Sequence, residues 1–266
     1  KYLSVLKGIF HYALHELEIL EKNPTDRLRV PEKDKTQINK QVKFYTVDEL
    51  DELLNFMSTY KHQRFPEYRL YYMLMYFLSE TGLRISEALA LTWDDIEDGK
   101  VHVNKQIRRG YNNQVEITTL KNKSSYRSIK LSKGIVDTLS DFKKTQRQCI
   151  LKHKNFHRNK DNIIFQNYLG NYLTPSTVRE TIKSILVNHG FVYKGTHAFR
   201  HTHAVHLLES GANIKFISER LGHKTIKTTS DTYLEVTDKI EEDELEKLAL
   251  YKNTHKTRSK QGADSK

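Results

Sequence analysis

The chain has 266 residues with 44 Lys and Arg against 33 Asp and Glu, a net charge of +11, and enough length for one large domain or two small ones. Its one cysteine, Cys149, excludes an intrachain disulfide and fits a reducing compartment. The apolar string YRLYYMLMYFL at 68–78 is interrupted and too short for a membrane span, and the basic excess favours a polyanionic partner.

The chain begins at Lys1 with no visible signal peptide, which reads as a fragment or processed form starting inside a helix. Leu3, Leu6, Ile9, Phe10, Ala13, Leu14 and Leu17 form an i, i+3, i+4 stripe over 1–22, predicting an amphipathic helix that Asn23 and Pro24 end. Residues 25–44 are polar and charged, the composition of a linker. Thr46 followed by Glu49 predicts a capping box ahead of Leu50, Leu53 and Leu54. The 68–91 segment predicts one or two buried helices broken near Thr81 and Gly82.

From Trp93 the period changes. VHVNKQI, VEITTL and YRSIKL predict a small three-stranded antiparallel sheet with two hairpins, and Lys121 falls at one tip. Helices resume after 132: one starts at Thr174-Pro175-Ser176, a short one covers 213–221, another 225–233, and an acidic amphipathic one 237–250. The tail from 252 is basic and predicted to be disordered. Charge is segregated, with seven Lys or Arg and no acid over 143–160, against six acids and one lysine over 238–246. A polyanion-facing surface would look like this, as would a solvated basic helix.

Six residues carry the chemistry: Arg84, Lys121, His197, Arg200, His223 and Tyr233. Paired guanidiniums meet the charge that builds on a phosphodiester in its transition state. A tyrosine phenol can attack phosphorus once its proton is accepted, and a lysine can protonate the leaving alkoxide. Taken singly the pieces are weak. His-x-x-Arg occurs at His197 and again in the tail at His255, Arg84 and Glu87 could be an ordinary helix pair, and Lys121 lies among other lysines. Arg84 follows the Thr81-Gly82 break, so it is expected at a helix start, where free amides favour an anion.

In combination, the strings TGLR-x-x-E (81–87), Thr-x-Lys with Ser-x-x-Arg (119–127), H-x-x-R-H-T-x-A (197–204) and LGH-x-x-x-x-T-T-x-x-x-Y (221–233) resemble those of the tyrosine recombinase family, in particular the phage-type integrases. The resemblance covers roughly residues 45–250. It implies a mainly α fold with a small antiparallel β-sheet, in which Arg84 and Arg200 bind the scissile phosphate and Lys121 protonates the 5′-oxygen. His197 would be an acid/base, His223 a hydrogen-bond partner of the phosphate, and Tyr233 the nucleophile that forms a 3′-phosphotyrosyl link. No metal or nucleotide cofactor is implied.

The resemblance also implies the organisation: 1–24 the last helix of a truncated core-binding domain, 25–44 a linker, 45–250 the catalytic domain and 251–266 a basic tail. The 237–250 helix would dock on a neighbouring protomer. Implied partners are double-stranded DNA attachment sites, three further copies in a homotetramer, and an excision factor or host DNA-bending protein, in a cytoplasmic, nucleoid-associated setting. The chain departs from many relatives in carrying Glu235 two positions after Tyr233, where they have histidine, and in the polar Thr229–Thr232 run, a candidate hinge for Tyr233. Rival readings are a type IB topoisomerase, a conjugative-transposon transposase with the same chemistry, a DNA-binding module with a dead site, and a metal enzyme built on the i, i+4 pair His197 and His201.

Overall fold

The computed structural model describes residues 2–29, 42–63, 68–110, 114–152 and 161–233. The 237–250 helix, the tail, Glu235 and most of the 25–44 linker lie outside them. The chain divides into two compact units, residues 1–41 and 42–266.

In the first unit, α1 spans Tyr2–His15, and none of its residues is buried. It stops well short of Asn23 and Pro24. The backbone turns at Glu18, which takes a left-handed φ of 52°, and the Ile19 amide bonds to the Ala13 carbonyl.

The second unit is built around α3. Helix α2 (Val47–Thr59) opens with the expected capping box: the Thr46 amide donates to Glu49 Oε2 at 2.8 Å, and the Glu49 amide to Thr46 Oγ1 at 3.3 Å. Helix α3 (Leu70–Thr81) buries Leu70, Met73, Leu74, Met75, Phe77 and Leu78, so it is apolar nearly all round and lies at the centre. It ends at Gly82, and the four-residue α4 (Ile85–Ala88) follows. The break expected near Thr81 and Gly82 is present.

A 3-10 turn over Trp93–Asp95 leads into β1 (Ile96–Glu97), β2 (Lys100–Val103), β3 (Lys105–Arg109), β4 (Val115–Thr119) and β5 (Arg127–Lys130). The pairing departs from the expected two-hairpin sheet. Strands β1, β2 and β5 make one antiparallel sheet, while β3 and β4 make a separate ribbon with Ile107 opposite Ile117. The run VHVNKQI is split at Asn104, whose amide donates to Asp95 Oδ1 at 3.3 Å while Lys105 Nζ bonds the same oxygen at 2.8 Å. The chain thus leaves one sheet at Asn104 and returns to it at Arg127. Lys121 therefore sits on the link between two sheets and not at a hairpin tip.

The remaining helices are α5 (Lys133–Lys152), α6 (Pro175–Asn188, capped by Thr174), α7 (Thr196–Glu209), α8 (Ile214–Leu221, capped by Asn213) and α9 (Ile226–Tyr233). Helix α3 packs against α2, α5 and α7, and α8 packs against α7, α9 and β5. The large core covers α2 to α6 and the start of α7. A second, smaller core holds Ala204, Val205, Leu208, Ile217, Leu221 and Tyr233, with Val42 and Phe44 packed against it. Among the described residues no helix is long and apolar enough to cross a membrane.

Candidate active site

Five of the six expected residues gather where α3, α7 and the α8–α9 turn meet. The arrangement depends on two glycines. Gly82 closes α3 at φ 66°, and a Cβ there would lie 2.7 Å from His203 Cδ2 and 2.8 Å from Leu221 Cδ2. Gly222 closes α8 at φ 69°, and a Cβ there would meet Arg127 Nη1 at 3.0 Å. Only glycine fits a left-handed position at such close approach.

Arg200, on α7, is 1% exposed. Its Nη1 donates to the Gly82 carbonyl at 2.8 Å and its Nη2 to the Leu221 carbonyl at 2.7 Å, tying both glycine turns to one guanidinium. Burial and the charge of Arg84 push its pKa down to about 9, so it is still a cation at pH 7.

Arg84 is the N-cap of α4, at a helix start as expected, but its own amide there is already taken by an acid of the protein. Its own amide donates to Glu87 Oε2 at 3.0 Å, and its Nη1 pairs with Glu87 Oε1 at 2.7 Å. Glu87 is 1% exposed and also pairs with Arg127 Nη2 at 2.9 Å. Burial drives the Glu87 carboxyl up, yet Arg127 and Arg84 outweigh it and hold the group below its ordinary value, so it stays an anion. Arg127 in turn donates through Nε to the Arg220 carbonyl at 2.7 Å. Glu87 and Arg127 both belong to the motifs TGLR-x-x-E and Ser-x-x-Arg, but neither motif by itself indicates that they anchor the site. A glutamate three residues from one arginine gives no sign of a second arginine forty positions on.

His223 follows Gly222 and is half-buried. Its Nδ1 is 2.8 Å from Thr229 Oγ1, and Thr229 is fully buried. The polar run in α9 thus has a structural use, since its threonine anchors the histidine. Burial, then Arg200, Arg84 and Arg127, press His223 down to about 4. His197 is lowered by desolvation of its packed side and then by Arg200 and Arg84.

Tyr233 closes α9 and is 1% exposed, with its hydroxyl 2.8 Å from His201 Nδ1. Burial raises its pKa to about 12, against the opposing pull of Arg200 and Arg84. His201 stands edge-on to His197, with ring centroids 4.7 Å apart. His201 is held to about 4 by burial, His197 and Arg200. The sequence alone places it in the H-x-x-R-H-T-x-A string and as half of a possible metal pair, with no catalytic role. Among the described residues no three His, Cys, Asp or Glu side chains converge on a metal position.

His203, one turn along α7 from Arg200, donates from Nδ1 to the Ser79 carbonyl at 2.8 Å, leaving Nε2 to accept from Arg220 Nε at 2.8 Å. It must be neutral to do both, and burial and Arg220 take it down to about 3. Lys121 stands apart. It is exposed and forms no hydrogen bond or ion pair with a described residue.

Residues 43–239 match the phage integrase family. Among curated relatives, a XerC-like tyrosine recombinase of Caldanaerobacter subterraneus is 28% identical over 92% of this chain and 64% of its own length. The ICEBs1 integrase of Bacillus subtilis is 29% identical over 87% of this chain and 59% of its own. Transposase A of transposon Tn554 from Staphylococcus aureus is 30% identical over 71% and 48%. The chain thus spans about half to two thirds of the length of these relatives. Among solved structures, the Tn1549 transposon integrase in complex with circular intermediate DNA superposes with a TM-score of 0.67 at 23% identity, covering 92% of this chain and 78% of that one. The XerA recombinase gives 0.56 at 18%, covering 92% and 74%. These likenesses fix the fold as that of a tyrosine recombinase catalytic domain, and the match over most of its length makes the chain a member of the phage integrase family.

Proposed function

We propose that this chain is a site-specific DNA recombinase that cleaves and rejoins strands through a 3′-phosphotyrosine at Tyr233, integrating or excising a mobile element. The observation that carries the reading is a buried tyrosine hydroxyl in the field of two arginines, Arg84 and Arg200. The names of the relatives support it, as does the complex of the Tn1549 integrase with circular intermediate DNA.

Arg84 and Arg200 hold the scissile phosphate, and His223 donates a hydrogen bond to it. Tyr233 Oη forms the new bond to phosphorus as its proton passes to a neutral histidine of α7. The bond from phosphorus to the 5′-oxygen breaks, and Lys121 supplies the proton to that oxygen. Lys121 reaches the leaving group by movement of its exposed link. The bond energy is kept in the phosphotyrosine, so religation needs no nucleotide. Exchange between two duplexes requires four such sites, hence a tetramer on DNA, with an excision factor or DNA-bending protein setting direction. Basic residues hold the DNA backbone, so affinity falls with salt.

The test is a nicked suicide duplex bearing a junction that the wild-type protein recombines in cells. Wild type should accumulate a covalent adduct, and Tyr233→Phe none. An adduct that persists in Tyr233→Phe would refute the nucleophile.

A further inference from the structure

We infer that His201, and not His197, is the catalytic base that takes the proton of Tyr233. The inference rests on the recombinase reading above and names the histidine which that mechanism leaves open.

The hydroxyl of Tyr233 is 2.8 Å from His201 Nδ1, and this is its one hydrogen bond among the described residues. The buried phenol hydrogen has no other acceptor there, so the phenol donates and Nδ1 accepts. That assigns the neutral tautomer with hydrogen on Nε2 and a lone pair on Nδ1 aimed at the reacting oxygen. The geometry is already that required of a general base.

His197 is placed differently. It is exposed, one turn earlier on α7, and it meets His201 edge to face without a bond to Tyr233. The field of Arg84 and Arg200 falls on it, which suits a group turned toward the phosphate.

The charged and titratable groups around this pair are His197 and Arg200 on α7, and Arg84 directly ahead of α4. Burial, then His197 and Arg200, oppose an imidazolium, which keeps His201 neutral while the site is empty. A bound phosphodiester brings a negative charge beside Arg200 and relieves part of that opposition. The base therefore becomes effective when substrate arrives. On cleavage the Oη–H bond breaks, the proton moves to Nδ1, and the oxygen lone pair bonds to phosphorus. The 5′-oxygen leaves with a proton from Lys121. On religation the 5′-hydroxyl oxygen attacks phosphorus as its proton returns to Lys121, the phosphorus–Oη bond breaks, and Nδ1 gives its proton to the departing phenolate.

The experiment follows single-turnover adduct formation by the full-length protein on the same nicked junction duplex, with DNA affinity and melting temperature measured in parallel. His201→Asn can still hold the hydroxyl from a position close to Nδ1, but it cannot take a proton; His201→Ala removes both roles. Both should lose about a hundredfold in adduct rate at pH 7, with DNA affinity kept. The deficit should shrink by pH 9.5, because the small fraction of phenolate present without a base rises about tenfold for each pH unit below the raised pKa of Tyr233. The inference is overturned if His201→Asn cleaves like wild type, if the deficit is the same at both pH values, or if only DNA affinity falls. If Tyr233→Phe also forms the adduct, the nucleophile assignment itself has failed and not merely the choice of base.

Discussion

Glu87 and Arg127 form an ion pair at 2.9 Å with 1% and 7% of their side chains exposed, and the same carboxylate holds Arg84. One acid therefore fixes both Arg127 and Arg84, the latter one of the two arginines proposed to hold the phosphate. A buried pair of this kind is costly to break by halves, because the remaining charge is left unmatched.

Glu87→Gln should therefore lower unfolding free energy by about 3 kcal/mol in denaturant titrations. Combining it with Arg127→Met should cost less than the sum of the two single changes. A simple sum would show that the two side chains act independently.

The glycine turns should be nearly as sensitive. Gly82→Ala forces a Cβ into the His203 ring and Gly222→Ala one against Arg127, both at positive φ. Each should destabilise by more than about 1 kcal/mol and shift Arg200, which bonds the carbonyls of Gly82 and Leu221. Melting temperatures check the first effect and adduct yield the second.

Acid should weaken the fold early. His201, His203 and His223 have an ordinary value of 6.5 and are held near 4, 3 and 4 in the folded chain. Below about pH 6.5 the unfolded chain binds protons that the folded chain refuses, so stability falls with pH from there toward 4 and is level above 7. Glu87 and Asp95, both held below their ordinary values, add a further loss as they are protonated at lower pH. Denaturation midpoints should show this slope, and His203→Gln should reduce it by about one proton.

Lys121 offers the opposite case. It is exposed and unbonded to described residues, so Lys121→Ala should leave the melting temperature unchanged within about 1 °C. Cleavage should fall sharply, and a duplex with sulfur replacing the 5′-bridging oxygen should restore it, since a thiolate leaves without a proton. Unrestored cleavage would remove Lys121 from its role.

The sequence showed the helices well wherever a periodic apolar face met a capping signal, as at Thr46, Thr174 and Asn213. It also yielded the six candidate residues, because each sits in a recognisable local string. Strand pairing was less legible. Nothing local announces that Asn104 will turn toward Asp95 and send the chain to a second sheet. The same limit hid the support of the site. Glu87 with Arg127, and His201 with Tyr233, are partners 40 and 32 positions apart, brought together only when α4, β5, α7 and α9 pack. The His-x-x-Arg-His string displayed His201 in plain view, but its use depends on where α9 ends.

Val42 and Phe44 pack on the small cluster that contains Tyr233. The cluster that holds Tyr233 is therefore completed by residues that arrive before the first helix of its own unit. A fragment trimmed to begin at Tyr45 would keep all six candidate residues and still leave Tyr233 with an unsealed flank. The first few residues of this unit are part of the tool, and a cleavage assay on a shortened chain would be measuring a loosened one.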